Sequence, residues 1–232
     1  MSSFTTQVGN TEIIGHTKAQ SAILFIRRVN VMAYSNFTLE TVRKNFQLET
    51  VQSIGIFGDI EPVSPRDHFI SDLAKKVSVA SSVNTEKARS ELIVADVLFE
   101  LLEHFNQRIS LFSGIEFNVD TEEGLTGVCD FLISKSPDQL SLEAPVIILV
   151  EAKKEDLTAG LGQCVAEMLA AQRFNTEKEN EIPRIYGATT SGTDWRFLKL
   201  ENSKLHIDTA AYQIAEYDKI LGILVSMVEQ QV

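Results

Sequence analysis

Two carboxylates and an ammonium group stand beside apolar runs in the middle of the sequence. Glu151 and Lys153 follow the run 146–150, and Asp130 lies inside a second apolar segment, 127–134. Side chains alternate between the two faces of a β-strand, so Glu151 and Lys153 should point to the same side. Charged groups next to a buried strand cost free energy unless they pair or bind a metal ion. The spacing therefore indicates either an incidental ion pair at a strand end or a metal site.

An Asp on one strand, a Glu at the end of the next and a Lys two positions later resemble the motif of the PD-(D/E)XK nuclease superfamily. Asp130, Glu151 and Lys153 match that motif residue by residue, while Cys129 stands where it usually has proline. The resemblance implies an α/β fold with a restriction-endonuclease-like core. The sequence of residues 85–105 adds a likeness to uncharacterised bacterial members of this superfamily.

The same resemblance adds three residues to the candidate site. Glu91, on a helix predicted at about 85–106, takes the place of a helix carboxylate that reaches the metal in many of these nucleases. Gln163, on the helix after the second apolar strand, takes the place of a polar residue that orients the site or contacts phosphate. For both residues an exposed helix position is the alternative interpretation. The backbone carbonyl of Ala152 is a further implied metal ligand.

The implied chemistry is metal-dependent hydrolysis of phosphodiester bonds. Mg²⁺ prefers oxygen ligands, which makes Asp130 and Glu151 the main expected ligands, and Mn²⁺ is the alternative ion. The ion lowers the pKa of bound water and neutralises the phosphate. Lys153 positions or deprotonates the water, or stabilises the transition state. The implied partner is nucleic acid, with DNA preferred to RNA; a homodimer is compatible with the resemblance and no membrane partner is expected.

Length and composition are those of one globular domain. The chain has 232 residues, of which 44% are hydrophobic and 23% charged, enough for one well-buried core. The net charge of −11 argues against a general nucleic-acid-binding surface, so a nuclease would need a local basic groove. No apolar run approaches the ~20 residues that span a bilayer. Without a clear signal peptide, the sequence predicts a cytoplasmic protein.

Cysteines and histidines offer no competing chemistry. Cys129 and Cys164 lie in apolar stretches, which predicts reduced core thiols rather than a disulfide or a zinc site. The four histidines lack ligand spacing. No Ser-His-Asp or Cys-His arrangement and no phosphate-binding glycine loop is evident in the sequence.

Apolar periodicity predicts the elements that position these side chains. Residues 1–31 lack sustained periodicity, so we expect a poorly packed N-terminal extension before a single domain at 32–232. The order of elements in that domain predicts a mixed central sheet flanked by helices. The predicted helices cover about 38–46, 64–74, 85–106, 156–174 and 213–230, and the predicted strands cover 54–60, 114–120, 127–134, 146–150, 184–190, 195–200 and 204–208.

Three functional hypotheses follow. The first is a Mg²⁺-dependent DNA endonuclease linked to restriction or repair. The second is a catalytically inactive nuclease-fold protein that acts as a binding or assembly module, although the intact Asp130, Glu151 and Lys153 count against it. The third is an unrelated α/β protein in which these residues form a structural ion pair. Convergence of the two carboxylates and Lys153 in a cleft would distinguish them.

Overall fold

A mixed eight-stranded β-sheet with helices on both faces forms the centre of the structure, which confirms the predicted α/β architecture. The structure is a computed structural model that describes residues 3–8, 11–18, 21–28 and 32–230, with side chains in the last range. The strands are β1 (Ser3–Val8), β2 (Thr11–Lys18), β3 (Ser21–Arg28), β4 (Glu49–Ser53), β5 (Ser110–Glu116), β6 (Val128–Ser134), β7 (Val146–Ala152), β8 (Ile185–Thr190), β9 (Asp194–Glu201), β10 (Lys204–Asp208) and β11 (Tyr212–Gln213). The helices are α1 (Leu39–Asn45), α2 (Asp67–Val83), α3 (Glu86–Arg89), α4 (Ala95–His104), α5 (Leu161–Glu177) and α6 (Tyr217–Glu229).

The strand order places β7 well inside the sheet. The order is β4-β10-β9-β8-β7-β6-β5, and β11 pairs with the start of β9. The pairs β4–β10 and β7–β8 are parallel, whereas the others in this order are antiparallel. Every residue of β7 is buried, as its apolar run predicts for a strand covered on both faces.

The helices form one layer on each face of the sheet. α5 packs on β7 and β8, and α1 packs on α5; we call this side the α5 face. α2, α4 and α6 contribute to the core on the opposite side. Leu149 of β7 belongs to the core of the α5 face and Val150 to the opposite core, as strand alternation requires. Among residues 32–230, no helix has the length and apolar character needed to cross a membrane.

Two glycines let α5 lie close to its neighbours. A Cβ built on Gly187 of β8 would lie 2.8 Å from Cys164 Sγ, and one on Gly162 would lie 2.6 Å from Thr38 Cα. Both distances are shorter than real Cβ contacts, so neither position has room for a side chain. Gly162 thus admits the segment that caps α1, and Gly187 lets α5 lie directly on the sheet.

The helix predicted at 85–106 contains a π-helical turn. α3 begins after Thr85, whose side chain caps it by accepting a hydrogen bond from the Ala88 N–H. Residues Ser90–Val94 then form the π-helical turn, and α4 continues in regular α-helical form. The apolar spacing of this segment fits a helix throughout, so the sequence did not reveal the turn. Such turns are frequent near functional sites.

Some predicted boundaries are wrong. Residues 54–60 form turns and a bend, and the strand lies just before them at β4, a largely exposed edge strand with no apolar run. The helix expected at 64–74 begins at Asp67 and continues to Val83. Its second half exposes Val79 and Val83 and buries no clear apolar stripe, so the sequence gives little signal for it. The strand expected at 114–120 lies earlier, at β5.

The segment before residue 32 contains three strands that the sequence did not predict. β1 and β2 pair antiparallel, as do β2 and β3, and they form a sheet of their own. Within the described strands, none of these three pairs with the eight-stranded sheet. That residues 1–31 pack little against the domain stays a prediction.

Both cysteines are buried and free, which confirms the predicted core thiols. Cys129 lies on β6 and Cys164 on α5, and both belong to the core of the α5 face. Burial raises the pKa of each thiol, so the reactive thiolate is suppressed.

Candidate functional site

Asp130 and Glu151 stand opposite each other on neighbouring antiparallel strands. Phe131 of β6 pairs with Val150 of β7, and the next step of that register sets Asp130 against Glu151. Glu151 lies two residues from Leu149 and so points to the α5 face, and the side chains of Asp130 and Glu151 interact with each other. The structure therefore brings the two predicted acidic residues together on one side of the sheet.

The backbone holds the Asp130 side chain in place. Its Oδ2 accepts a hydrogen bond of 2.8 Å from the Ala152 N–H. Burial raises the pKa of Asp130, while this hydrogen bond and the Lys153 charge act in the opposite direction. The amide of Ala152 is thus part of the site, and a ligand role for its carbonyl stays a prediction.

Glu151 is a buried carboxylate with one oxygen satisfied. Lys153 Nζ donates to its Oε1 at 2.5 Å, whereas Oε2 is buried and has no hydrogen-bond partner. The side chain of Glu151 is only 2% exposed, against 24% for Lys153. Burial, followed by the charge of Asp130, raises the pKa of Glu151 to about 8. A proton or a cation would satisfy the free oxygen.

Asp130, Glu151 and Lys153 form a polar cluster, and Gln163 and Glu167 extend it into the core. The last two lie one turn apart on α5. Gln163 Oε1 lies 3.5 Å from Lys153 Nζ, and its Nε2 donates to Glu167 Oε1 at 3.1 Å. Glu167 is fully buried, and its Oε2 has no partner. Burial and the charge of Glu151 raise the pKa of Glu167 well above its ordinary value. The sequence indicated Gln163 but missed Glu167, whose only signal is a carboxylate within an apolar stretch of helix.

Glu91, the carboxylate expected from the first long helix, lies away from Asp130 and Glu151 in this structure. Glu91 has a side chain that is 61% exposed and pairs with Lys87 at 2.7 Å. Glu86, at the start of α3, carries a charge that helps to raise the pKa of both Asp130 and Glu151. The structure thus leaves Glu91 on the exposed side of its helix, and its role as a metal ligand stays a prediction.

Gly160, which precedes α5, lets this helix begin directly against the cluster. A Cβ built on it would lie 3.1 Å from Lys153 Cγ, 3.3 Å from Thr189 Cγ2 and 3.4 Å from Glu151 Cγ. These are tight contacts for a Cβ atom, so glycine is the residue that fits there without displacing a neighbour. The start of α5 therefore helps to set where Lys153 and Glu151 lie.

In the range 32–230, Asp130 and Glu151 are two candidate ligands without a third. Within the described part of the chain, no group of three or more His, Cys, Asp or Glu residues is placed to hold a metal ion. Mg²⁺ is commonly held by one or two protein carboxylates together with water and phosphate oxygens. Asp130 and Glu151, the latter with a free buried oxygen, fit that mode of binding.

A cavity of about 700 Å³ lies elsewhere, beside Phe46, Ser203 and the second half of α5. None of the site residues described above lines it. Its arginine, Arg173, already pairs with Asp120 and Glu123. We assign no function to this cavity.

Comparison with known proteins identifies no family. The chain matches no protein-family model, no curated protein and no solved structure.

Proposed function

We propose that the chain is a metal-dependent nuclease with a restriction-endonuclease-like core that hydrolyses phosphodiester bonds in DNA. The observation that carries this proposal is the meeting of Asp130 and Glu151 across β6 and β7, with Lys153 on Glu151. The mixed sheet and the helix α5 that follows β7 agree with the core that the motif implies.

Asp130 and Glu151 would hold the metal, Mg²⁺ or alternatively Mn²⁺. Glu151 offers its free Oε2, and Asp130 offers Oδ1, since Oδ2 is bound to the Ala152 amide. When bound, such an ion lowers the pKa of a coordinated water and neutralises charge on the phosphate. The charges of Asp130 and Glu151 act on each other at short range, which favours binding of a cation over binding of a bare phosphate.

Lys153 acts as a charged donor in this proposal. Burial lowers the pKa of Lys153, but the hydrogen bond and the charge of Glu151 outweigh burial, and the pKa is raised overall. The side chain is therefore an ammonium at neutral pH, which favours positioning water or stabilising charge in the transition state over abstracting a proton. Gln163 accepts from this ammonium and limits the directions that it can take.

An inactive module of the same architecture is the second candidate. Two observations favour it. Lys153 Nζ is already bound to Glu151 Oε1, at 2.5 Å, and the described residues offer no third metal ligand. A purely structural cluster would need protons on both glutamates: Oε2 of Glu151 and Oε2 of Glu167 are buried without a donor, and a protonated Glu151 would donate to Asp130. Unsatisfied buried carboxylate oxygens are rare in native proteins unless a ligand or a proton completes them.

Calorimetric titration with Mg²⁺ and Mn²⁺, alongside cleavage of plasmid, single-stranded DNA and RNA, tests the proposal. We expect the wild type to bind metal and cleave DNA, and Glu151→Gln to lose both properties. Glu91→Gln is the matched control, because it removes the same charge from an exposed position. A wild type that neither binds metal nor cleaves any of the three substrates would favour the inactive module. Equal losses in the two variants would contradict the site.

A further inference from the structure

Arg196 lies in line with the two carboxylates. Glu151 pairs with Thr189 across β7 and β8, and Thr189 pairs with Arg196 across β8 and β9. Directly paired residues point to the same face of a sheet. Asp130, Glu151, Thr189 and Arg196 therefore form one row across four neighbouring strands on the α5 face. Strands lie ~4.8 Å apart, which puts the backbone of Arg196 about 10 Å from that of Glu151.

The guanidinium of Arg196 has no carboxylate partner among residues 32–230. Its Nη1 lies 3.5 Å from Thr158 Oγ1, and its Nε is buried without a hydrogen-bond acceptor. Asp194 shares the strand and the face, but its Oδ2 accepts a hydrogen bond of 2.9 Å from Thr193 Oγ1. The side chain as a whole is half-buried, so its outer Nη groups remain accessible to an acceptor from outside the chain.

Two acidic side chains lie near Arg196 and Thr158, and both already accept hydrogen bonds within the chain: Asp156 from the Thr158 N–H and Asp194 from the Thr193 hydroxyl. Thr158 belongs to the segment that joins Lys153 to α5, so Arg196 reaches the same segment that carries the catalytic lysine of the proposed site. The first turn of α5 carries no acidic residue. Thr189, between Glu151 and Arg196 in the row, has a buried hydroxyl without a partner. Thr189 itself is fully buried, so an anion placed here would meet the guanidinium of Arg196 and the exposed hydroxyl of Thr158.

We propose that Arg196 binds a backbone phosphate of the nucleic acid, next to the phosphodiester bond that is cleaved at Asp130 and Glu151. The guanidinium fork matches two phosphate oxygens, which is why arginine commonly binds phosphate. This inference rests on the proposed nuclease function and names a second contact with the same substrate. It makes Arg196 a binding residue, so its loss should raise KM more than it lowers kcat.

The salt dependence of binding tests this assignment directly. Each lost phosphate contact should reduce the slope of log affinity against log salt by about 0.9 for duplex DNA or about 0.7 for a single strand. We would measure binding of fluorescent duplex and single-stranded oligonucleotides in Ca²⁺, over a range of KCl concentrations. For whichever oligonucleotide the wild type binds, duplex or single-stranded, the salt slope of Arg196→Gln should be smaller by the value of one contact. The salt slope of Arg196→Lys should stay close to that of the wild type. Arg108→Gln, which follows α4 on the opposite side of the sheet, should match the wild type.

The outcomes separate the two proposals. A slope for Arg196→Gln equal to that of Arg108→Gln would overturn the Arg196 assignment, even if the wild type cleaves DNA. A reduced slope in a protein that cleaves nothing would support the phosphate contact and count against the nuclease. A wild type that binds neither oligonucleotide would overturn the assignment as well. Matching thermal melts of the variants would exclude unfolding as the cause.

Discussion

At the scale of single residues, the chemistry of the site depends on the protonation state of the buried Glu151. One of its oxygens meets Lys153 and the other meets no donor. Burial and the Asp130 charge raise its pKa from an ordinary 4.5 to about 8. An acid with a raised pKa binds more protons in the folded than in the unfolded state between those two values. Ionisation of Glu151 therefore destabilises the metal-free fold, and a cation that neutralises it stabilises the fold.

Glu151→Gln should remove this pH dependence. The stability contributed by the protonated acid is fully present below 4.5 and is lost as pH rises to about 8. The free energy of unfolding of the wild type should thus fall more than that of the variant as the pH rises from about 5 to about 8. Urea denaturation in EDTA at both pH values measures the difference. Parallel curves for the two proteins would contradict the raised pKa, and Glu91→Gln should follow the wild type.

Metal binding should release protons for the same reason. Near neutral pH most of Glu151 is protonated when its pKa is about 8, whereas a metal ligand must be ionised. Titration of Mg²⁺ in buffers of different ionisation enthalpy should therefore report release of on the order of one proton per ion at pH ~7. A binding enthalpy independent of the buffer would contradict a protonated ligand.

Lys153 should matter for hydrolysis and little for metal affinity. Lys153→Ala removes the ammonium that contacts Glu151 but leaves both carboxylates in place. Hydrolysis should fall by ~10²-fold or more, the scale of a lost electrostatic or acid–base group. Lys154→Ala is the control, since that lysine is half exposed and lies 3.7 Å from Glu155. Full activity of Lys153→Ala would remove the residue from the mechanism.

At the scale of elements, α5 links the core to the site, and two glycines test the two roles separately. Gly162→Ala would push a methyl group into the backbone of Phe37 and Thr38, which cannot move aside as a side chain can. We expect a loss of about 1–3 kcal/mol, the usual cost of overpacking. Gly160→Ala meets only side-chain carbons, so it should cost less stability but displace Lys153 and reduce hydrolysis. Thermal melts and cleavage rates distinguish these effects; equal melting temperatures in the two variants would contradict the argument.

Elements that bury an apolar run could be predicted from the sequence, and elements that do not were missed. β6, β7 and β10 lie close to their predicted positions because each fills a covered part of the sheet. β4 was missed because an edge strand with exposed side chains carries little apolar signal. The second half of α2 was missed because its valines face solvent.

The candidate site divides in a similar way. Asp130, Glu151 and Lys153 could be predicted because a charged residue beside a buried strand is conspicuous. Glu167 and Arg196 could not, because a carboxylate on a helix and an arginine on an alternating strand usually face solvent. Their importance depends on pairings between strands distant in sequence, which no local pattern specifies.

At the scale of the whole molecule, the N-terminal sheet should be dispensable for the fold. Within the described strands, β1–β3 pair only with one another. The domain is anchored immediately after them, where Tyr34 Oη donates to the Phe117 carbonyl at 2.6 Å. Deletion of residues 1–31 should therefore leave the melting temperature nearly unchanged. A loss of many degrees in thermal denaturation would show that this segment stabilises the domain.

The strand order also determines when each pairing first becomes possible during synthesis on the ribosome. β5, β6 and β7 are consecutive in the chain and adjacent in the sheet, so Asp130 and Glu151 can meet as soon as β7 emerges. β4 must wait for β10, because Lys204 is the partner of Glu49. Arg196 is synthesised between these events. The nascent chain thus carries its acidic pair well before the arginine that stands two strands away from it in the finished sheet.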